Sequence, residues 1–372
     1  MTKVSIRWAL AASIASALAL TGCGGGDGSG NSIPVVPAPA PSPSPSPSPS
    51  PSPSPTPTPS ASGLLALTGD ISPVHDPAII HAGGYYYIYS TSQVGETPGL
   101  IPIRRSTDLK NWTLIGAVFQ DIPQWAKDRV PGVSGIWAPT IWQEGGQYRL
   151  YYAVSTFGSN VSAIGLATSP TLDPNDPAYK WTDQGVVIGS TTSDTYNAID
   201  PSIVADGQGR EWMVFGSFWS GIKLVELDPV TGKPASGAPA IYSLAQRPSP
   251  DAEEAPVLVH HGNYYYYLFV SYDYCCKGSS SNYYTVVGRS TAVTGPYLDR
   301  QGRRMTDGYA ETVLATNDDG TGRYVGPGSV SILDESGQSY IVYHAYDTQR
   351  NGAPTLRIRP LTWGSDGWPA AE

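Results

Sequence analysis

The chain has 372 residues and a formal net charge of −9 at pH 7, a balance that argues against a nucleic acid or an anionic bilayer as partner. Three cysteines in this length exclude a disulfide scaffold, and 40% hydrophobic content with interspersed charge excludes both a disordered chain and a polytopic membrane protein. Five Phe stand against 24 Tyr and ten Trp, a usage that suits half-exposed aromatic surface more than a purely apolar core.

Lys3 and Arg7 open the chain, residues 8–20 are apolar, and Leu20-Thr21-Gly22-Cys23 closes that run with small residues ahead of a cysteine. This is the layout of a secretory signal, and the apolar run is shorter than the roughly 20 residues a membrane-spanning helix needs. Its ending resembles the lipobox of bacterial lipoproteins. The resemblance implies a signal peptide over residues 1–22, lipidation at Cys23 and a lipid anchor to the membrane; ordinary cleavage nearby would instead leave Cys23 free. Gly24 stands where an inner-membrane retention signal carries Asp, which directs the expectation to the outer membrane or cell surface of a bacterium. Proline then takes every odd position from Pro37 to Pro59, a composition that favours extended polyproline II over a packed core. Residues 23–63 are read as the acylated cysteine and a Pro/Ser-rich linker, and residues 64–372 as the folded domain.

Within that domain a pattern recurs. Pro77, Pro139, Pro201, Pro256 and Pro327 are spaced by 62, 62, 55 and 71 residues. Each is followed by an apolar stretch, a glycine-containing turn and a run of aromatic and β-branched residues, over 78–90, 140–153, 202–216, 257–270 and 328–344. The turns Gly83-Gly84, Gly145-Gly146, Gly207 to Gly209, Gly262-Asn263 and Gly337 make each unit a β-hairpin. Further strands are predicted over 163–167, 222–227, 285–289 and 356–361, and no segment shows convincing helical periodicity. Five such units fill residues 64–372. The predicted fold is all-β, a five-bladed β-propeller with four-stranded antiparallel blades; a two-sheet sandwich would leave the fivefold recurrence without a cause.

In a propeller the first strand of each blade lines the central channel, so residues at the start of those strands meet at one mouth. Asp76 and Asp200 directly precede their prolines, Glu254 stands one residue earlier, and blades 2 and 5 place Trp137 and Gly326 in the comparable region. Three carboxyls therefore converge from blades 1, 3 and 4. Crowded carboxyls can hold different protonation states near neutral pH, which glycoside hydrolysis requires of its acid and its base. An Asp before Pro also caps turns, and that reading covers Asp173, Asp176 and Asp228. The loops returning to the same rim carry residues 156–160, 216–221 and 272–276, whose aromatic faces and neighbouring amides and hydroxyls suit a sugar ring.

On these residues the chain resembles the family 43 glycoside hydrolases, and within them the α-1,5-L-arabinanases. The marks are His75-Asp76-Pro77, Ile136-Trp137-Ala138-Pro139, the run from Ser159 to Ser169, Asn197-Ala198-Ile199-Asp200-Pro201-Ser202, Gly216 to Ile222, Glu254-Ala255-Pro256 and Cys275-Cys276-Lys277-Gly278. The resemblance implies an inverting hydrolase of arabinan. Asp76 would be the general base, Glu254 the general acid and Asp200 the carboxyl that tunes and orients the acid. Inversion calls for acid and base roughly 6.5–9.5 Å apart. By the same resemblance Asp76, Trp137, Phe157, Gly158, Asn197, Ser217, Phe218 and Trp219 would hold arabinofuranose units, no cofactor is required for the chemistry, and a monomer is expected. Thr140 departs from the pattern, since these enzymes commonly carry Asp after Trp-Ala-Pro; a hydrogen bond in blade 2 is thereby in question.

His344 ends the second strand of blade 5, at a register matched with Ser90, Tyr152, Gly216 and Val270, and is expected to face the channel. The resemblance implies that it holds a hydrated calcium or similar ion; a histidine hydrogen-bonded to tyrosines is the other reading. With Cys23 acylated, Cys275 and Cys276 remain, either as a vicinal disulfide stiffening the rim loop or as two adjacent thiols. Beside the arabinanase stand a β-xylosidase or α-L-arabinofuranosidase, which need a pocket closed at one end, and a sugar-binding propeller without catalysis.

Overall fold

The computed structural model describes residues 63–372 except 236, 263, 264 and 318. The expected signal peptide, Cys23 and the linker up to residue 62 lie outside the described residues.

Five sheets follow one another along the chain, each running from its innermost to its outermost strand in sequence order. Blade 1 comprises Ala78–Ala82, Tyr85–Tyr89, Leu100–Ser106 and Asn111–Phe119; blade 2 comprises Trp137–Glu144, Gln147–Val154, Ser162–Ser169 and Thr182–Ser190. Blade 3 is built from Ser202–Ala205, Glu211–Phe215, Ile222–Leu227 and Ile241–Ala245, and blade 4 from Glu253–His261, Tyr265–Tyr272, Tyr284–Ser290 and Glu311–Leu314. Tyr324–Glu335, Gln338–Asp347, Ala353–Trp363 and Pro369–Ala371 complete blade 5. The molecule is a five-bladed β-propeller, and one short helix, Gln124–Arg129, interrupts it between blades 1 and 2. The paired glycines Gly83-Gly84 and Gly145-Gly146 all have positive φ, between 58° and 79°. That is what a two-residue hairpin turn demands of both central residues.

The apolar residues bury themselves between blades rather than inside them. Five clusters form, one at each junction; Tyr89 and Tyr152 share the first, Val214 and Leu268 another, and Ile88 with Ile358 the one that joins blade 5 back to blade 1. Blade 5 is made entirely of C-terminal strands, so the ring closes without a shared sheet. A strap does the work instead: Leu65 N–H donates to Ile358 O (3.0 Å), Leu356 N–H to Ile71 O (2.9 Å) and Val74 N–H to Pro354 O (2.8 Å). Thr68–Gly69 then pairs in parallel with the outer strand of blade 1. The inner strands lie side by side around the channel, blade 5 against blade 1 included.

Two registers differ from those expected. In each blade one residue on the channel-mouth side of the inner strand's regular pairing is left-handed: Asp76 (φ 50°), Ala138 (39°), Asp200 (56°), Ala255 (52°) and Ser329 (50°). In blades 1 to 4 a proline follows it, whereas in blade 5 Val330 takes that place and Pro327 lies three residues earlier. The fifth proline is thus a coincidence of composition, and Ser329, not Gly326, is the counterpart of Asp76. His344 pairs with Gly328, which aligns it with Thr91, Ala153, Gly216 and Ser271 rather than with Ser90, Tyr152 and Val270. A slip of one residue turns a strand's side chains to the opposite face; Tyr152 and Val270 accordingly sit in the inter-blade cores.

Candidate active site

The left-handed residues hold the site together. At four of the five, a side chain of the preceding blade accepts the backbone N–H of that residue. Ala138 N–H donates to Thr91 Oγ1 (2.7 Å), Ser329 N–H to Ser271 Oγ (2.8 Å) and Asp76 N–H to His344 Nδ1 (3.2 Å). In blade 3 the corresponding residue is Gly216, which has no side chain, and Asp200 Oδ2 accepts the Ala255 N–H instead (3.0 Å). Asp200 therefore fixes the backbone immediately after Glu254.

Around Asp76 a circuit of hydrogen bonds forms that is closed by one ion-pair contact. His344 accepts the Asp76 N–H at Nδ1, so its proton is on Nε2, 3.3 Å from the Tyr346 hydroxyl. Tyr346 oxygen also accepts the Cys276 N–H (2.8 Å), and its own proton goes to His75 Nε2 (2.8 Å). His75 then presents Nδ1 to Asp76 Oδ2 at 2.8 Å, while Thr91 Oγ1 donates to the same oxygen. The His75 and His344 rings stack with centroids 3.9 Å apart.

These surroundings separate the carboxyls. Burial by itself would raise Asp76, but His75, His344 and the Thr91 hydroxyl outweigh it and hold this carboxyl well below the usual carboxylate range. Burial pushes Glu254 up to about 7; the negative charge of Asp76 adds to this, against the lowering effect of Ser217 and His75. Both Glu254 oxygens accept hydroxyl protons, Oε2 from Ser217 (2.8 Å) and Oε1 from Tyr283. Asp200 is held well above its ordinary value by burial and then by Glu254 and Asp76. Below about pH 7 an ionised Asp76 thus shares one cavity with a protonated Glu254.

That cavity measures about 690 Å³ and is lined by every sequence-predicted catalytic and sugar-binding residue. Trp137 and Phe157 form one wall, their ring centroids 5.0 Å apart, and Phe157 is 80% exposed. Phe218 and Tyr274 face each other on another side at 6.1 Å. Asn197 is buried and its Oδ1 has no protein partner, which leaves it free to accept a ligand hydroxyl. Cys275 and Cys276 are joined through their sulfurs at the rim. His344 alone lies behind the wall, fully buried.

Sequence reasoning gave no role to Thr91, His75, Tyr283 or Tyr346. Thr91 was findable from the correct strand register and His75 from its place beside Asp76. Nothing distinguishes Tyr283 and Tyr346 among 24 tyrosines until the strands are paired. The ion expected at His344 does not fit. His344 Nδ1 accepts the Asp76 N–H and its Nε2 lies against the Tyr346 hydroxyl, which leaves the ring no lone pair for a hydrated ion. The hydrogen-bonded histidine is the reading that matches the geometry.

Two half-buried carboxyls shifted in opposite directions share a cleft walled by aromatic rings, with the Asn197 amide oxygen unpartnered beside them. The sequence matches the glycosyl hydrolases family 43 over residues 71–369, and the chain belongs to that family. It is 44% identical over 299 residues to an extracellular endo-α-(1→5)-L-arabinanase of Bacillus subtilis, covering 80% of this chain and 87% of that protein. An extracellular exo-α-(1→5)-L-arabinofuranosidase of Cellvibrio japonicus is 41% identical over 310 residues, 80% of this chain and 86% of its own. The Cellvibrio cellulosa α-L-arabinanase solved with arabinohexaose superposes with a TM-score of 0.74 at 40% identity, over 80% of this chain and 95% of that one.

Thr91→Val keeps the shape of the side chain but leaves the buried Ala138 N–H without an acceptor and removes the hydroxyl donor from Asp76. It is expected to lower stability by about 1–3 kcal/mol, read as a fall in the denaturation midpoint, whereas Thr91→Ser is expected to stay close to the parent.

Proposed function

We propose that this glycoside hydrolase cleaves α-1,5-L-arabinofuranosidic bonds of arabinan with inversion at the anomeric carbon. The observation that carries the reading is the opposite protonation of Asp76 and Glu254 at one cavity. Asp76 acts as general base, taking a proton from the water that attacks the anomeric carbon. Glu254 acts as general acid, giving its proton to the glycosidic oxygen as the bond to it breaks. After one turnover Asp76 is protonated and Glu254 ionised, and exchange with solvent restores both. Asp200 orients the acid through the Ala255 N–H, and its own proton keeps a third negative charge out of the site.

Arabinan as substrate is supported by the names of the relatives and by the arabinohexaose held by the Cellvibrio structure. Trp137, Phe157, Gly158, Asn197, Ser217, Phe218 and Trp219 would bind the sugar units. Cleavage within the chain is supported by the groove's continuation past Trp137 and Phe157 into a second recess of about 320 Å³ beside Gln93 and Gly135, so that a polymer can run on beyond the cleaved bond. No step is routed through an ion at His344. On linear debranched arabinan the enzyme is expected to release mixed oligosaccharides, with inversion seen by proton NMR in the first minutes. Glu254→Gln should lose about 10²- to 10⁴-fold in turnover while still binding arabinan in affinity electrophoresis. Release of single arabinose units would assign the exo mode, activity on nitrophenyl xyloside or arabinofuranoside alone would assign one of the pocket-type enzymes of the family, and a fully active Glu254→Gln would remove Glu254 from the chemistry.

The same proposal extends to location: a monomeric enzyme exported and tethered through acylated Cys23, its linker holding it off the outer membrane. The name "extracellular" carried by both relatives supports export. Cys23→Ala is expected to shift the enzyme from the membrane pellet to the soluble fraction; a variant still sedimenting with membranes would rule out the anchor.

A further inference from the structure

The loop that carries Cys275 and Cys276 plays no part in the chemistry above, yet it sits over the histidine that backs Asp76. Cys276 is exposed, and its Sγ lies 3.6 Å from His75 Nε2. That nitrogen accepts the Tyr346 hydroxyl proton, so its lone pair is on the side of the sulfur and becomes available to a ligand that displaces the tyrosine. The other ring nitrogen faces the Asp76 carboxylate. An imidazole whose far nitrogen is held by a carboxylate while the near one presents a lone pair is arranged as a metal-ligating histidine is. The ligand atoms of His75, Cys275 and Cys276 all lie within 4.8 Å of one another.

We propose that the Cys275–Cys276 disulfide masks a site for a thiophilic divalent cation such as zinc, with Cys275 Sγ, Cys276 Sγ and His75 Nε2 as ligands once the bridge is opened. Opening is thiol–disulfide exchange: a dithiol reductant supplies two electrons and two protons, the S–S bond becomes two thiols, and the reductant closes to its own disulfide. The cation then releases the two thiol protons as the thiolates bind. To sit about 2.3 Å from a tetrahedral ion the sulfurs must stand roughly 3.8 Å apart, a distance that rotation of two adjacent side chains can supply. The fourth position stays open to water on the cleft side. While the bridge is intact neither sulfur is a thiolate, and a single imidazole is left to bind. Calcium and magnesium, which take oxygen ligands, are refused in either state. A bound ion displaces Tyr346 from His75 and places positive charge one ring away from Asp76, so hydrolysis stops. In an oxidising compartment the bridge keeps such metals off the base.

The test uses the full chain carrying Cys23→Ser, in which Cys275 and Cys276 are the remaining thiols of the three cysteines. Oxidised and reduced samples, desalted without air, are titrated with cobalt(II) as a coloured stand-in and then with zinc. The reduced chain is expected to take up one cobalt with thiolate-to-metal absorption in the near ultraviolet, displaced by zinc; the oxidised chain shows neither. Cys275→Ser with Cys276→Ser should abolish the absorption while leaving the near-ultraviolet circular dichroism unchanged, and Asp76→Asn should weaken binding about 10- to 100-fold. Zinc should inhibit only the reduced enzyme, reversibly with chelator. That last arm rests on the proposed hydrolytic reading, while the absorption does not, so the two fail separately. Equal cobalt binding by oxidised and reduced chains, absence of the thiolate band on reduction, or its persistence in the double serine variant would each overturn the site.

Discussion

Every blade has a residue in the left-handed region on the channel-mouth side of its inner strand's regular pairing, and the N–H of that residue is captured by a side chain of the neighbouring blade at four of the five junctions described above. The conformation costs an L-residue about 1–2 kcal/mol. Aspartate tolerates it better than most, but Ala138, Ala255 and Ser329 do not share that allowance. They hold it because the inter-blade core and the captured N–H over-determine the backbone. One device thus locks blade to blade and turns the side chain at the strand's start toward the channel mouth. Where that residue, or the one before it, is acidic, the mouth acquires a carboxyl. Blades 1, 3 and 4 contribute Asp76, Asp200 and Glu254 in this way, and the proposed chemistry is a by-product of how the ring is closed.

What separates the three carboxyls is the company each keeps. All three are half-buried at the cavity, and desolvation pushes each of them toward its protonated form. Asp76 escapes because the circuit through His344, Tyr346 and His75 ends on its own oxygen, joined there by Thr91. Glu254 meets only neutral hydroxyls. Asp200 has a single backbone N–H for partner, and desolvation with the charges of Glu254 and Asp76 pushes it upward. The same strand of blade 5 supplies His344 and Tyr346, so a blade without a carboxyl of its own sets the charge of the carboxyl in blade 1. This also explains why His344 needs no metal to be indispensable to the site: its two nitrogens are the first and second links of the circuit.

Much of this was legible in the chain, because a propeller writes its architecture as recurrence. Four inner strands announced themselves by proline, and glycine pairs marked the hairpins. The acids followed from the register of those prolines. The fifth proline misled, since Pro327 is three residues from the position that Val330 occupies, and the spacing of 71 residues looked close enough to pass. His344 was placed one residue out for a related reason: counting from the hairpin turns ignores the irregularity in strand pairing between Val325 and Ser331. That one-residue error hid the equivalence of Thr91, Ser271 and His344 as captors of backbone N–H groups. Tyr283 and Tyr346 could not be found at all, because their meaning depends on which distant strand they meet.

The most direct measurement is a carboxyl-carbon NMR titration of protein labelled in Asp and Glu, with Glu254→Gln and Asp76→Asn spectra used to assign the two signals. A folded-state value raised above the ordinary one keeps an acid protonated at every pH below it, and a lowered value keeps it ionised at every pH above. The structure therefore predicts a Glu254 midpoint of about 7 and an Asp76 signal still ionised where ordinary aspartates have taken up their protons. Titration of Glu254 near the unperturbed 4.5, or of Asp76 together with the surface carboxylates, would contradict the account.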